Sequence, residues 1–338
     1  MGTLQKWFSQ CVNDGLVIQE KESALVVGTF GRAIWVLDDL KSLREIVRGN
    51  NKEKITALPM NEVIQVKGLF IAPPGNIWTG FGTTFEGENR PFQEAAIPIY
   101  INDLPSKEDK VEGFIINSKG DTIQKLNGQV LMQGLNYMHW KLDENREYLS
   151  ANYDPNESRG IPVLPGTYIA VFKYKGVQSS TSIKVISDPR FKMKEEVDQE
   201  LYRYNKALNF EVGRLKSLFN LISSWENELK KIHEKLSKQT KKEKALKNVN
   251  GMMDMVKQLK LVGKDSPGDR QLGAWQCVRI TPASAINEAE KVAMARVDVP
   301  SEQDWKRISD AAALIDNYKL QLNQFEISSW KKFIKLYK

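Results

Sequence analysis

The sequence predicts a mixed, multidomain chain: a small β-meander, then an all-β sandwich, then an all-α bundle or long helical hairpin. Three observations carry this. Short apolar runs punctuated by Gly, Pro, Asp and Asn dominate as far as about Ile186. From Val197 the apolar residues switch to unbroken steps of three and four. A length of 338 residues leaves room for about two domains.

The meander comes first. "GLVIQ" (Gly15–Gln19) predicts one strand and "EKES" (Glu20–Ser23) a polar turn. "ALVVGTFGRAIWVLDD" (Ala24–Asp39) then predicts a hairpin, with apolar runs at Leu25–Val27 and Ala33–Leu37, and Gly28 and Gly31 bracketing a turn that ends in Arg32. Both runs are apolar throughout, the pattern of strands covered on both faces. Three strands alone are marginal in water, so a second layer must cover them.

A charged connector containing "RGNNKEK" is expected over 41–61, with the next domain beginning near Glu62. Strands are predicted at Val63–Ala72, Ile97–Asn102, Val111–Asn117, Leu135–Leu142, Tyr168–Tyr174 and Thr181–Ile186. Hairpin turns fall at Lys119–Asp121 and at Gly176. Six or seven such strands over 62–187 make an immunoglobulin-like β-sandwich. The long interruption Pro73–Glu94 carries Trp78, Phe81, Phe85 and Phe92, and loops of this length in compact domains are often functional. Its aromatics suit either docking against a neighbouring domain or stacking on sugar rings.

The helical half is expected over 188–338. Val197, Leu201, Tyr204, Leu208, Val212 and Leu215 open a stripe that runs on through Trp225 to Leu236, with Gly213 its one weak point. Leu246 to Leu259 marks a second helix, and "VGKDSPGDRQLG" (Val262–Gly273) is a break. Thr281 with Pro282 reads as an N-cap and first-turn proline, and Ser301 to Asp304 as a capping box. The last stripe runs from Trp305 to Phe325.

Several chemistries lack their residues. Cys11 and Cys277 have no His or Cys at metal spacing and read as unpaired structural thiols. His139 sits in a strand pattern and His233 on a lysine-rich helix, and no G-x-S-x-G elbow occurs. "GTFGR" lacks the spacing of a phosphate loop. Asp38 and Asp39 are adjacent, so on a strand they diverge and read as solvated strand-end charges. No catalytic, metal or cofactor-binding residue is assigned and no cofactor is expected. The net charge of +7 gathers in the helical half, at Lys230, Lys231, Lys235, Lys238, Lys241, Lys242, Lys244 and Lys247. No stacking aromatics accompany these lysines, so they read as a solvated face and not a nucleic-acid surface. No apolar run reaches the 18 to 20 residues or so of a membrane span. The first residues lack the apolar core of a signal peptide.

"VNDGLVIQEKESALVVGTFGRAIWVLDDL" (Val12–Leu40) resembles the closing blade of sortilin-like, BNR-repeat β-propellers, a family described as glycosyl-hydrolase-like. The matching phrase runs through Gly28, Thr29, Gly31, Arg32, Trp35, Asp38 and Asp39. "GIPVLPGTYIAVFKYKG" with "IKVISDPRF", and "FEGENRPFQEA", are similar to later segments of that family. The resemblance implies that 1–40 is the remnant of a last propeller blade, and that the other blades lie outside these residues. It further implies an extracytoplasmic setting, periplasmic or secreted, with the upstream blades as partner and a protein or glycan as possible ligand. The expected role is a non-catalytic accessory and interaction region. The alternative is part of a glycoside-hydrolase-like enzyme whose carboxylates lie in the other blades and whose sandwich aids glycan binding.

Overall fold

The computed structural model describes residues 13–20, 23–29, 34–37, 39–49, 52–65, 94–130, 132–149, 160–189, 194–238, 243–264, 280–296 and 298–337. The chain forms two compact units, one of residues 1–145 and 162–193, the other of 146–161 and 194–338. The change from strand to helix texture therefore does not coincide with a single crossing point. A short segment, 146–161, that precedes the last two strands of the first unit belongs with the second unit.

In the first unit, β1 (Asn13–Gln19), β2 (Ala24–Thr29) and β3 (Ile34–Leu37) form an antiparallel sheet in the order β1-β2-β3. The stretch expected as a linker holds two elements. Helix α1 (Leu40–Val47) is capped by Asp39, whose carboxylate accepts from the Ser42 amide at 3.2 Å. The Ser42 side chain is fully buried and donates to the Pro59 carbonyl, 3.2 Å away. Strand β4 (Ile55–Ala57) follows.

Besides a two-residue ladder between Asp143–Glu144 and Ile161–Pro162, seven longer strands follow: β5 (Val63–Gln65), β6 (Ala95–Ile101), β7 (Lys110–Ile116), β8 (Thr122–Gln129), β9 (Gly134–Trp140), β10 (Gly166–Tyr174) and β11 (Val177–Ser187). They make a three-stranded sheet, β4-β6-β9, and a five-stranded sheet, β5-β11-β10-β7-β8. All pairs are antiparallel except β5 with β11. Both sheets contribute to one core, in which Ile97, Ile99, Ile101 and Trp140 from the first meet Ile115, Ala170 and Phe172 from the second. The two-residue period shows plainly in β10, where Tyr168, Ala170, Phe172 and Tyr174 point inward.

The turns follow their residues. Lys175 and Gly176 both have positive φ, 45° and 81°, the geometry of a two-residue hairpin whose twist matches its strands. At the β7–β8 turn the Asn117 side chain accepts from the Lys119 and Asp121 amides, and Gly120 takes φ 88°. Lys175 also bonds Asp109 at 2.8 Å, and this bond, with the Ser106 amide, lowers the Asp109 carboxyl to about 2.

The second unit is helical. Helix α2 (Glu195–Ser237) is continuous for 43 residues, roughly 65 Å, so Gly213 does not interrupt it. Helix α3 (Glu243–Gly263) returns along it, with Lys260 paired to Glu226 at 2.7 Å. Helices α4 (Pro282–Ala295) and α5 (Glu302–Phe325) complete a shared core in which Val212, Leu215, Leu229, Val249, Ile286 and Leu322 are inaccessible to solvent. The chain then passes through one π-helical turn, Glu326–Trp330, into α6 (Lys331–Tyr337).

Gly213 has a packing role. A Cβ there would lie 3.4 Å from Cγ of Glu147, which belongs to the short segment that joins this unit. The Glu147 amide donates to Asn209 Oδ1 at 2.7 Å, its carboxylate pairs with Lys216 at 2.6 Å, and Arg146 pairs with Glu290. Gly263 is tighter still, since a Cβ there would stand 2.5 Å from the Tyr318 ring, whose hydroxyl is held by the Leu259 carbonyl. Gly263→Ala is expected to destabilise the helical unit by about 1–3 kcal/mol through overpacking, measured by denaturant titration of its circular-dichroism signal.

Both predicted helix starts are present. Thr281 and Ser284 form a reciprocal capping box with Pro282 at the first position. Ser301 and Asp304 form the second. Burial opposes ionisation of Asp304, but hydrogen bonds from the Ser301 hydroxyl (2.7 Å) and amide (2.9 Å) and the Arg296 guanidinium (2.6 Å) outweigh it. The Asp304 carboxyl therefore sits below its ordinary value. A carboxyl lowered on folding contributes stability above its unfolded value of about 3.9, and this contribution is lost as pH falls through the lowered folded value. Ser301→Ala is expected to cost about 1 kcal/mol at neutral pH. Chemical denaturation at several pH values should show that gap narrowing below about pH 4.

Candidate functional site

The first sheet differs from every other element in what it leaves uncovered. Successive residues of β1, Leu16, Val17 and Ile18, are 60%, 63% and 46% exposed. Adjacent strand residues point to opposite faces, so β1 is open on both. On the other flank, Ile34, Trp35 and Val36 of β3 are 71%, 39% and 47% exposed. Only the central strand is protected, with Ala24 and Val27 buried. The layer expected to cover these strands is not among the described residues.

The register explains how the exposed residues are arrayed. Val27 faces Leu16 on one side and Trp35 on the other, and Val26 faces Val17 and Val36. Apolar side chains thus run in rows across the three strands. Isolated exposed apolar residues are ordinary, but contiguous rows mark surfaces that bind. Among the described residues β1 and β3 are the edge strands of this sheet, and edge strands are templates for strand pairing.

The motif residues fall unevenly on this sheet. Gly28 and Thr29 end β2, with Gly28 opposite Gly15 and Ile34. Trp35 lies in β3. Asp39 is not a solvated strand-end charge but the left-handed N-cap of α1, at φ 62°, and its second oxygen lies 3.5 Å from the Tyr137 hydroxyl. Its signal was legible: an Asp three residues before Ser42 at the start of a helical run. Gly31, Arg32 and Asp38 lie outside the described residues, as do Trp78, Phe81, Phe85 and Phe92 of the aromatic loop. Cys11 and Cys277 also lie outside them.

Reactive constellations are lacking among the described residues. No group of three His, Cys, Asp or Glu is placed to hold a metal ion. His139 is half exposed with Nδ1 3.5 Å from the Glu94 carboxylate. Glu211 is pushed up by burial, which its Arg214 partner (2.7 Å) offsets in part. Arg214 also pairs with Asp316, whose negative charge adds to the upward push on Glu211, so the arginine serves both carboxylates. No described helix is long and apolar enough to cross a membrane. No family model, curated protein or solved structure matches this chain.

Proposed function

We propose that this chain is a non-catalytic accessory and interaction region of an exported β-propeller protein, in which β1–β3 is the layer that receives further propeller strands. The first unit's two larger sheets are then the immunoglobulin-like sandwich that braces the propeller, and the helical unit presents a separate surface. The observation that supports this reading is the pair of open, apolar outer strands, Leu16 to Ile18 and Ile34 to Val36, flanking a buried centre. The resemblance of Val12–Leu40 to a closing propeller blade supports propeller strands as the partners of this sheet, and it likewise supports the extracytoplasmic setting. The rows of apolar residues are what a blade presents to its neighbour, and they carry no group that could perform chemistry.

The test compares the chain with a form lacking residues 1–37, which keeps Asp39 and the α1 cap intact. By sedimentation velocity at matched concentration, the full chain is expected to self-associate and the shortened one to be monomeric and at least as soluble. Adding separately expressed upstream blades should convert the full chain into a defined complex and leave the shortened form unchanged. A monomeric full chain together with a precipitating short form would make β1–β3 an integral layer of its own unit and overturn the reading.

A further inference from the structure

Independently of the propeller reading, we infer that the α2–α3 end of the helical bundle is a docking surface for an anionic lipid bilayer. The tertiary structure assembles this end from three separated pieces of sequence. Near the close of α2 lie Lys230, Lys231, Lys235 and Lys238, and at the start of α3 lie Lys244 and Lys247, all exposed. Helix α6 is brought to the same end, with Trp330 5.4 Å from Trp225 and the Tyr337 hydroxyl reaching the Ala245 carbonyl at 3.4 Å. It adds Lys331, Lys332 and Lys335, also exposed. A stripe that sequence alone presents as the solvated face of one helix is part of a larger basic surface.

Elsewhere in the unit four lysines are ion-paired, Lys216 with Glu147, Lys260 with Glu226, Lys291 with Glu288 and Lys306 with Asp310, while Lys257 and Lys319 have no ion pair among the described residues. Of the nine at this end, only Lys331 has an ion pair among the described residues, with Glu326 at 3.4 Å. The intervening glutamates, Glu228, Glu234, Glu243 and Glu326, are fewer than half the lysines, so the end is strongly positive.

Residue type selects the partner. No arginine lies between Arg214 and Arg270 or after Arg307, so this end has none of the planar forks that clamp a discrete carboxylate or phosphate. Lysines, as point charges, suit the diffuse negative potential of a lipid surface, where each contributes additively. Leu336 and Ile327, 78% and 65% exposed, flank the outward lysines of α6 and offer aliphatic groups to the acyl boundary. Of the aromatics of this region, Trp225, Trp330 and Phe333 are buried and Tyr337 is partly covered against Phe333, so among the described residues no row of exposed rings is offered for stacking nucleic-acid bases.

The test is co-sedimentation of the full chain with vesicles of phosphatidylcholine alone or mixed equally with phosphatidylglycerol. Binding is expected to the mixed vesicles only, and to fall as ionic strength rises. K331E/K332E/K335E is expected to weaken it on the order of 100-fold, whereas K206E/K291E/K306E, with the same change in net charge, should bind like the parent. Far-ultraviolet circular dichroism confirms that each variant is folded. Equal loss in both triple variants would reduce the effect to net charge and overturn the site. Binding to neutral vesicles, or tighter binding to polyaspartate or duplex DNA than to the mixed vesicles, would also overturn it.

Discussion

Trp225→Ala is expected to remove about 3–5 kcal/mol from the helical unit, one of the two largest single-residue effects in the molecule. Trp225 is 3% exposed, and its ring lies 5.4 Å from both Phe325 and Trp330. Those two residues end α5 and the π-helical turn, and Trp330 in turn stacks on Phe333 of α6. Truncating Trp225 therefore opens a cavity and also frees the segment that carries α6. The deficit should appear as faster amide exchange in α6 and the second half of α2, with the strands of the first unit unchanged. Trp225→Phe keeps a ring against both neighbours and should recover part of the loss. Unaltered exchange in α6 would show that α6 is held by something other than this aromatic cluster.

Trp140→Ala is expected to have an effect of similar size, about 3–5 kcal/mol, on the first unit. Trp140 is fully buried, stands edge-on to Tyr168 with ring centroids 5.2 Å apart, and donates its indole N–H to the Asp143 carbonyl at 2.7 Å. The substitution leaves a cavity in the core shared by both sheets and strips a buried carbonyl of its donor. Trp140→Phe separates the two contributions, since it retains most of the apolar volume and loses only the hydrogen bond. Urea titration of β-sheet circular dichroism should place Trp140→Phe between the parent and Trp140→Ala. If the two variants coincide, packing contributes little and the indole hydrogen bond accounts for the whole loss.

The elements most legible in the sequence were those whose own period encodes them. The stripe from Val197 to Leu236 is one helix because each apolar residue lies three or four positions after the last, and a single face can collect them all. The hairpins at Lys119–Asp121 and Gly176 were legible because their turn residues tolerate the required backbone angles. The continuation beyond Phe325 was hidden for the same physical reason. Phe325 to Trp330 is a five-residue step, which a regular helix places off the stripe, and only the π-helical turn returns Trp330 to the buried face. Strand β4 was illegible because three residues are too few to show alternation, and it becomes a strand only by pairing with β6.

The sequence by itself determined the order of strand and helix, the N-cap at Thr281, the capping box at Ser301, and the hairpins, all of which depend on residues close together along the chain. Only the tertiary structure decided that Arg146 and Glu147 join the helical unit, since that rests on Glu290, Asn209 and Lys216, at least sixty residues away. It likewise decided that α6 adds its lysines to those of α2 and α3. Periodicity records which residues are apolar but not what covers them. Leu16 to Ile18 and Ile34 to Val36 read from sequence only as strands that need a covering layer, and the three-dimensional arrangement shows them facing solvent.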